Sequence, residues 1–385
     1  MISFKNGPIF IDGKWERGLE LRVKEGRIVD MVPEDYRSDQ DTEIRQVIDA
    51  GGKYIVPGFI DIHIHGANGS DVMDASKESL ENISSYLAKN GTTSYLATTM
   101  TCSIEDIKKA MGAVAQYMKG YRGQGAQILG LHMEGPFISP KARGAHDKDY
   151  IKDPSIDLYK ELVGDLGSIV KVVTLAPELE GAVELASYLN ENNTRASMGH
   201  TKATYDIAKE AIGKGINHVC HFYNAMQAFS HREPGVVGAV LDSDDSTIEL
   251  IADLVHIHPA ALRLAVSIKG KDRCALITDA MSAAGLGDGT YMLGGLEVYV
   301  EKGQARQIDG TLAGSTLNQA QALRNMVKIG LGLEDVLTML TKTPARIIGV
   351  DGYKGQLKEG YDADILLLDR DLNVAESFVR GQRQA

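Results

Sequence analysis

The 385-residue sequence predicts an α/β protein, a (β/α)8 TIM barrel carrying a small β-sandwich domain built from both chain termini. Three observations lead there. The first is a set of eight apolar runs: YIVPGFIDIHIHG, TTSYLATTM, AQILGLHMEG, SIVKVVTLAP, RASMGHT, NHVCHFYNAM, TIELIADLVHIH and CALITDAMSAAG. They alternate with amphipathic stretches such as SKESLENISSYLAKNG, SIEDIKKAMGAVAQYMKGY and HPAALRLAVSIKGK. Short glycine-bounded runs that alternate with helices read as βα units on a parallel sheet, and eight such units close a barrel. The second is that both ends read as short alternating strands with Gly turns: GPIFID, LELRVKEGRIVDMVPE and EIRQVIDA at one end, DADILLLDRDLNVAESFVRGQ at the other. Termini often lie close together, so these pieces are expected to pair. The third is that no G-x-G-x-x-G follows any strand, which argues against a doubly wound open sheet.

The expected boundaries are therefore 1–54 and 350–385 for the β-sandwich domain and 55–349 for the barrel. A β-hairpin is expected as an insertion near 289–310, GTYMLGGLEVYVEKGQARQIDG. With 41 basic against 52 acidic residues, the net charge of −11 argues against a general nucleic-acid or anionic-membrane surface. No apolar stretch reaches the ~20 residues of a membrane span, and the start lacks the basic-then-apolar pattern of a signal peptide. Three cysteines, Cys102, Cys220 and Cys274, are too few for a disulfide framework or a Cys-rich zinc site. The expectation is a soluble, cytoplasmic protein.

In such a barrel the strand ends share one mouth, so each run can be asked which polar residue closes it. The first closes with Asp61-Ile62-His63-Ile64-His65. Residues i and i+2 of a strand face the same way, which brings two imidazoles to one point, as a pair of metal ligands requires. The plainer reading is two histidines in a glycine-bounded loop. The third closes with His132-Met133-Glu134. Burying an unpaired carboxylate there would cost on the order of several kcal/mol, so a metal or a cation is expected, with an ion pair to Arg143 or Lys141 as the competing reading. The fifth and sixth close with Gly199-His200 and Cys220-His221, the eighth with Thr278-Asp279. A lone histidine on an apolar strand is more often a hydrogen-bonded core residue. Six candidates at the ends of five runs, however, imply one metal centre. Alternation is expected to turn Cys220 to the opposite face, as a small buried hydrophobe.

The set His63-x-His65, Glu134, His200, His221 and Asp279 resembles the amidohydrolase superfamily. The text around it is similar to the N-acetylglucosamine-6-phosphate deacetylases over essentially the whole chain: PGFIDIHIHG, LHMEGPFISPKARGAH, GHTKATYDIAKEAIGKG, HVCHFYNAM, LITDAMSAAG and GTLAGS. A glutamate on the third strand is the sharper marker, since many relatives use a modified lysine on the fourth. The resemblance implies hydrolysis of N-acetyl-D-glucosamine 6-phosphate to D-glucosamine 6-phosphate and acetate. It implies Glu134, His200 and His221 as the principal metal triad, and room for a second ion at His63, His65 and Glu134 with Asp279 close by. One or two divalent ions per subunit are expected, zinc first, with iron, manganese or cobalt as alternatives.

Asp279 is expected to act as general base and then acid. By resemblance, Ala145 and His146 contact substrate near the scissile amide. Arg232, His256 and the backbone at Asn224 and Ala225 clamp the phosphate, and Leu312, Ala313 and Gly314 close over the sugar. A small phosphosugar is thus the expected partner, with neither nucleic acid nor membrane. Relatives can borrow phosphate contacts from a second subunit, so a homodimer is expected. Another amidohydrolase of the same superfamily, a deaminase or cyclic amidase, is the alternative. A catalytically dead scaffold would have lost ligands by drift, and every expected ligand is present.

Overall fold

The computed structural model describes residues 1–36 and 43–384. Eight parallel strands hydrogen-bond in chain order: β1 (Phe59–Ile64), β2 (Thr92–Thr99), β3 (Gln127–Glu134), β4 (Val170–Leu175), β5 (Arg195–Met198), β6 (His218–Val219), β7 (Thr247–Ile251) and β8 (Cys274–Ile277). Their side chains are buried almost throughout, as expected of strands covered by helices on one side and filled on the other. The sheet closes between β1 and β8 just past the strand ends. There the Asp279 N–H donates to His63 O and the His65 N–H to Ala280 O, both at 2.9 Å. The bonds that shut the barrel thus also place three of the predicted site residues.

Helices α1 (Lys77–Lys89), α2 (Ile104–Gly120), α3 (Ile156–Val163), α4 (Ala182–Glu191), α5 (Tyr205–Gly213), α6 (Gly235–Leu241), α7 (Pro259–Lys269) and α8 (Gln319–Lys328) follow the strands. Ser76, Ser103, Ser155, Thr204 and Asn318 cap α1, α2, α3, α5 and α8 through side-chain oxygens that accept from the first-turn backbone; each such cap is worth about 1 kcal/mol. Helix α6, GVVGAVL, is buried over nearly its whole surface. It has no polar face, so amphipathic periodicity does not reveal it. No helix among the described residues is long and apolar enough to cross a membrane.

Two further sheets lie outside the barrel, one from the N-terminal segment alone and one from both termini. One has four strands in the order Arg27–Pro33, Leu19–Lys24, Ile2–Lys5, Gln46–Asp49; the other has six, with Ile365–Leu368 paired antiparallel to Tyr54–Pro57 at its centre. Strand 365–368 is buried on both faces. Ile365 and Leu367 join Phe4, Leu21, Ile28 and Phe378 in a core between the sheets, while Leu366 and Leu368 face the barrel core. The run YIVPGFIDIHIHG, read as one element, is therefore two: Tyr54–Pro57 stays with the terminal sheet and Phe59–Ile64 enters the barrel. Gly58 makes the break, since a Cβ there would sit 2.0 Å from Thr93 Oγ1. The expected hairpin at 289–310 is a three-stranded meander, Gly289–Leu293, Leu296–Glu301 and Gln304–Arg306. Its apolar face packs Leu293, Val298 and Ala305 against Met100, Met281 and Ala313.

Candidate metal centre and substrate pocket

Glu134, at the end of β3 and 2% exposed, is the hub of the strand-end cluster. Its Oε1 lies 2.9 Å from His221 Nε2, 3.2 Å from His200 Nε2 and 3.3 Å from His63 Nε2. Its Oε2 lies 3.1 Å from His65 Nε2 and 3.5 Å from His146 Nε2. Asp279 Oδ1 is 3.3 Å from His65 Nε2 and 3.7 Å from His63 Nε2. Among the described residues Glu134 pairs with neither Arg143 nor Lys141, its ion-pair partners all being histidines; Arg143 Nη1 instead donates to His146 O at 2.8 Å.

Local backbone explains how residues beyond a strand end turn inward. His200, His221 and Asp279 adopt left-handed φ values of 47°, 26° and 49°. Such conformations cost on the order of 1–3 kcal/mol in a non-glycine residue and cluster where function requires them. They also correct the reading of Cys220. Strand β6 ends at Val219 and the chain turns at His221, so alternation no longer applies. The Cys220 thiol is buried, as expected, but lies 3.5 Å from His221 Nε2 rather than facing away. Gly199 leaves it room, since a Cβ there would meet Sγ at 2.0 Å.

The charges are matched inside the cluster. Burial alone would raise the pKa of Glu134 and Asp279, but the neighbouring imidazoles, His63 above all, hold both below the usual carboxylate range. Burial opposes charge on His65, yet Asp279 and Glu134 outweigh it and raise its pKa to about 9. His63 is likewise raised. His146 goes the other way, pushed down to about 4 by burial and by His200. In the metal-free chain, protonated imidazoles thus supply the positive charge that the two carboxylates demand.

This donor set fits a divalent ion. The Nε2 atoms of His200 and His221 lie 3.0 Å apart, a spacing at which two lone pairs repel unless a proton or a metal lies between them. Donors held about 2.1 Å from one zinc ion sit at comparable separations. His63, His65 and Asp279 form one compact ligand group, and Glu134 forms others with His146 and His200 and with Cys220 and His221. Imidazole with carboxylate suits Zn, Fe, Mn or Co.

Above the cluster opens a pocket lined by Ala145, His146, Asn224, Ala225, His256, Leu312, Ala313 and Gly314, with His65, Glu134, His200, His221 and Asp279 at its floor. His63 is fully buried beneath. His256 is oriented by Asp253, whose Oδ2 is 2.6 Å from its Nδ1. Met100, Leu293 and Thr311 add walls that the sequence reading did not name. Arg232 is the exception among the predicted residues. It is exposed, outside this pocket, and forms no ion pair among the described residues, neither with Glu233 nor with any other acid.

Four polar residues behind the ligands were also passed over. Asp61 Oδ2 accepts from Thr278 Oγ1 at 2.6 Å, tying β1 to β8, and burial pushes its pKa up to about 7. His132 packs edge-on against His63, with ring centroids 4.4 Å apart. Glu249 and His218 lie below His63 and His221. Glu249 stands mid-run in TIELIADL, a carboxylate in an apolar strand and so the signal that singled out Glu134. Asking only which residue closes each run missed it.

A closed parallel barrel with imidazoles and carboxylates gathered at its strand ends is the architecture of a metal-dependent hydrolase. The amidohydrolase family model matches residues 54–383, and the chain belongs to that family. Its relatives are more specific. It is 39% identical over 362 residues to the N-acetylglucosamine-6-phosphate deacetylase of Bacillus subtilis, covering 93% of this chain and 91% of that one. It is 38% identical over 370 residues to the N-acetylgalactosamine-6-phosphate deacetylase of Escherichia coli O157:H7, covering 96% and 95%. The crystal structure of N-acetylglucosamine-6-phosphate deacetylase from Pasteurella multocida superposes with a TM-score of 0.93 at 34% identity, covering 100% and 99% of the two chains.

Proposed function

We propose that this chain hydrolyses N-acetyl-D-glucosamine 6-phosphate to D-glucosamine 6-phosphate and acetate. The observation that carries this reading is the convergence of five imidazoles on Glu134, with Asp279 beside them, at and directly beneath one pocket, in a chain with full-length deacetylase relatives. Glu134, His200 and His221 would hold one divalent ion, zinc by preference, and His63, His65 and Glu134 a second beside Asp279. A bound ion supplies a water whose pKa falls toward about 7 and polarises the acetyl carbonyl.

The protein groups do the rest. Asp279, ionised because His63 and His65 face it, accepts a proton from the attacking water as the new C–O bond forms. It returns that proton to the sugar nitrogen as the C–N bond breaks, which spares the expulsion of a strongly basic amide anion. His146 is neutral at pH 7 and can hydrogen-bond the amide through Nε2. Its other nitrogen, Nδ1, lies 2.8 Å from Thr101 Oγ1. Leu312–Gly314 cover the sugar, and His256 with the backbone of Asn224 and Ala225 faces the phosphate. Arg232, exposed and outside the lining of its own pocket, would serve the pocket of a second subunit in a homodimer. The two terminal sheets with their shared core are read as one β-sandwich domain.

The galactosamine relative supports one narrower alternative, the 4-epimer of the same substrate. Both readings are tested by the rate of acetate release from each N-acetylhexosamine 6-phosphate. Assays use protein as purified, after chelation, and after adding back Zn2+, Fe2+, Mn2+ or Co2+, with bound metal counted per chain. Turnover that chelation abolishes and a metal restores is expected. Folded protein inactive on both sugars with every metal would overturn the assignment, and a larger kcat/KM for the galacto-epimer would reassign the substrate.

A further inference from the structure

Glu249 touches neither the pocket nor any predicted substrate contact, yet it is fully buried and one of its carboxylate oxygens bonds both a predicted ligand side chain and the backbone of another. Its Oε2 accepts from His63 Nδ1 at 2.9 Å and from the His221 backbone N–H at 3.2 Å. Its Oε1 accepts from His218 Nε2 at 3.0 Å, and His218 Nδ1 is in turn 2.8 Å from Thr247 Oγ1. Its backbone carbonyl accepts from the Phe222 N–H at 2.9 Å. One residue of β7 therefore grips a histidine of β1 and both sides of the left-handed turn that aims His221.

We propose that Glu249 is the positioning residue that joins the two halves of the metal centre. This rests on the metal reading above. An ionised carboxylate can only accept hydrogen bonds, so His63 must carry its proton on Nδ1. In the metal-loaded protein its Nε2 is thereby left with a lone pair on the side of Glu134 and Asp279. The same carboxylate holds the His221 turn in register, so the ligands from β1 and from the end of β6 are set by a common anchor. Partners of this kind orient metal-bound imidazoles and raise their basicity; losing one typically weakens metal affinity or activity by about 10–100-fold.

The test compares wild type with Glu249→Gln, which keeps the shape but removes the charge and one acceptor, and with Glu249→Ala. Zn2+ affinity is measured by chelator competition, beside circular dichroism to establish folding. The expected result is Zn2+ binding about 10–100-fold weaker in Glu249→Gln, with kcat recovered and KM nearly unchanged when Zn2+ is in excess. Unchanged Zn2+ affinity in both folded variants would overturn the proposal. A second measurement needs no variant: 15N-resolved histidine spectra of zinc-loaded wild type should place the His63 proton on Nδ1, and a proton on Nε2 would overturn it. If wild-type protein bound no Zn2+ at all, the metal reading itself would fail. If it bound Zn2+ and the variants bound it equally well, only the role of Glu249 would.

Discussion

Asp279 combines a left-handed backbone, a carboxylate only 13% exposed and two imidazole neighbours, a costly arrangement for a merely structural residue. Asp279→Asn is expected to lower kcat by at least ~10²-fold while bound metal, counted by elemental analysis, is retained; an unchanged rate would remove it from the proton-transfer role. The histidines make a further prediction, for the metal-free chain. His132, pushed down to about 3 by burial and by His63, and His146, at about 4, are neutral in the fold. An unfolded histidine titrates near ~6.5. Between those values the unfolded chain binds more protons, so stability rises with pH, by about 1.4 kcal/mol per unit for each group. His65, raised to about 9, has the opposite sign: its contribution is complete below ~6.5 and is lost as pH climbs toward 9. Asp61, raised to about 7, holds a proton in the fold over the same range as His132 and His146 and offsets their rise. The expected signature of chelated protein is therefore a Tm that declines above pH ~6.5, and Zn2+ should remove this decline because ligation holds these imidazoles unprotonated. A Tm that rises steadily through pH 8 without metal would contradict these charge assignments.

Elements meet at a junction as tightly specified as the site. Lys354, 1% exposed, places Nζ 2.7 Å from Asp364 Oδ2, 3.0 Å from Asp362 Oδ2 and 2.9 Å from Gln127 Oε1. Gln127 begins β3, and Asp364 immediately precedes the central strand of the terminal sheet. Asp364 O also accepts from the Gly58 N–H at 2.9 Å, where the chain passes from sheet to barrel. Removing one member of a buried ion cluster leaves charge uncompensated and costs about 3–5 kcal/mol. Lys354→Met should lose that much in urea denaturation, with kcat of the metal-loaded enzyme unchanged because neither Lys354 nor its partners line the pocket. Most strands were legible: all eight runs contain a barrel strand, and the amphipathic stretches SKESLENISSYLAKNG, SIEDIKKAMGAVAQYMKGY and HPAALRLAVSIKGK hold α1, α2 and α7, while α3 and α8 were not named. Two other features escaped for a physical reason. Helix α6 is apolar all round, and the junction at Gly58 shows only as a close approach to Thr93 that no linear pattern encodes.

For the whole molecule, Arg232 poses the question of assembly. Its loop also exposes Phe229, at 58%, and nothing in the described chain engages the guanidinium. If each Arg232 serves the other subunit, mixing Arg232→Ala and Asp279→Asn proteins under exchanging conditions should restore activity, because one site of each hybrid dimer regains both groups. Random pairing would place about a quarter of all sites in that state. Recovery to that level, with a dimeric mass by light scattering, is the expected outcome; two inactive proteins that stay inactive when mixed would confine Arg232 to its own chain.

The sequence by itself determined the barrel, the pairing of the termini and the candidate ligand residues at strand ends. Each is carried by local periodicity: apolar runs, i and i+2 alternation, and carboxylates placed where only a cation could justify burying them. Tertiary structure decided what periodicity cannot reach. It gathered five histidines from different elements around Glu134, turned His221 and Cys220 together where the strand had already ended, set Glu249 behind both ligand halves, and left Arg232 outside its own pocket. These depend on through-space distances between residues far apart in the chain, and a linear pattern carries the identity of a side chain without the neighbours that give it a role.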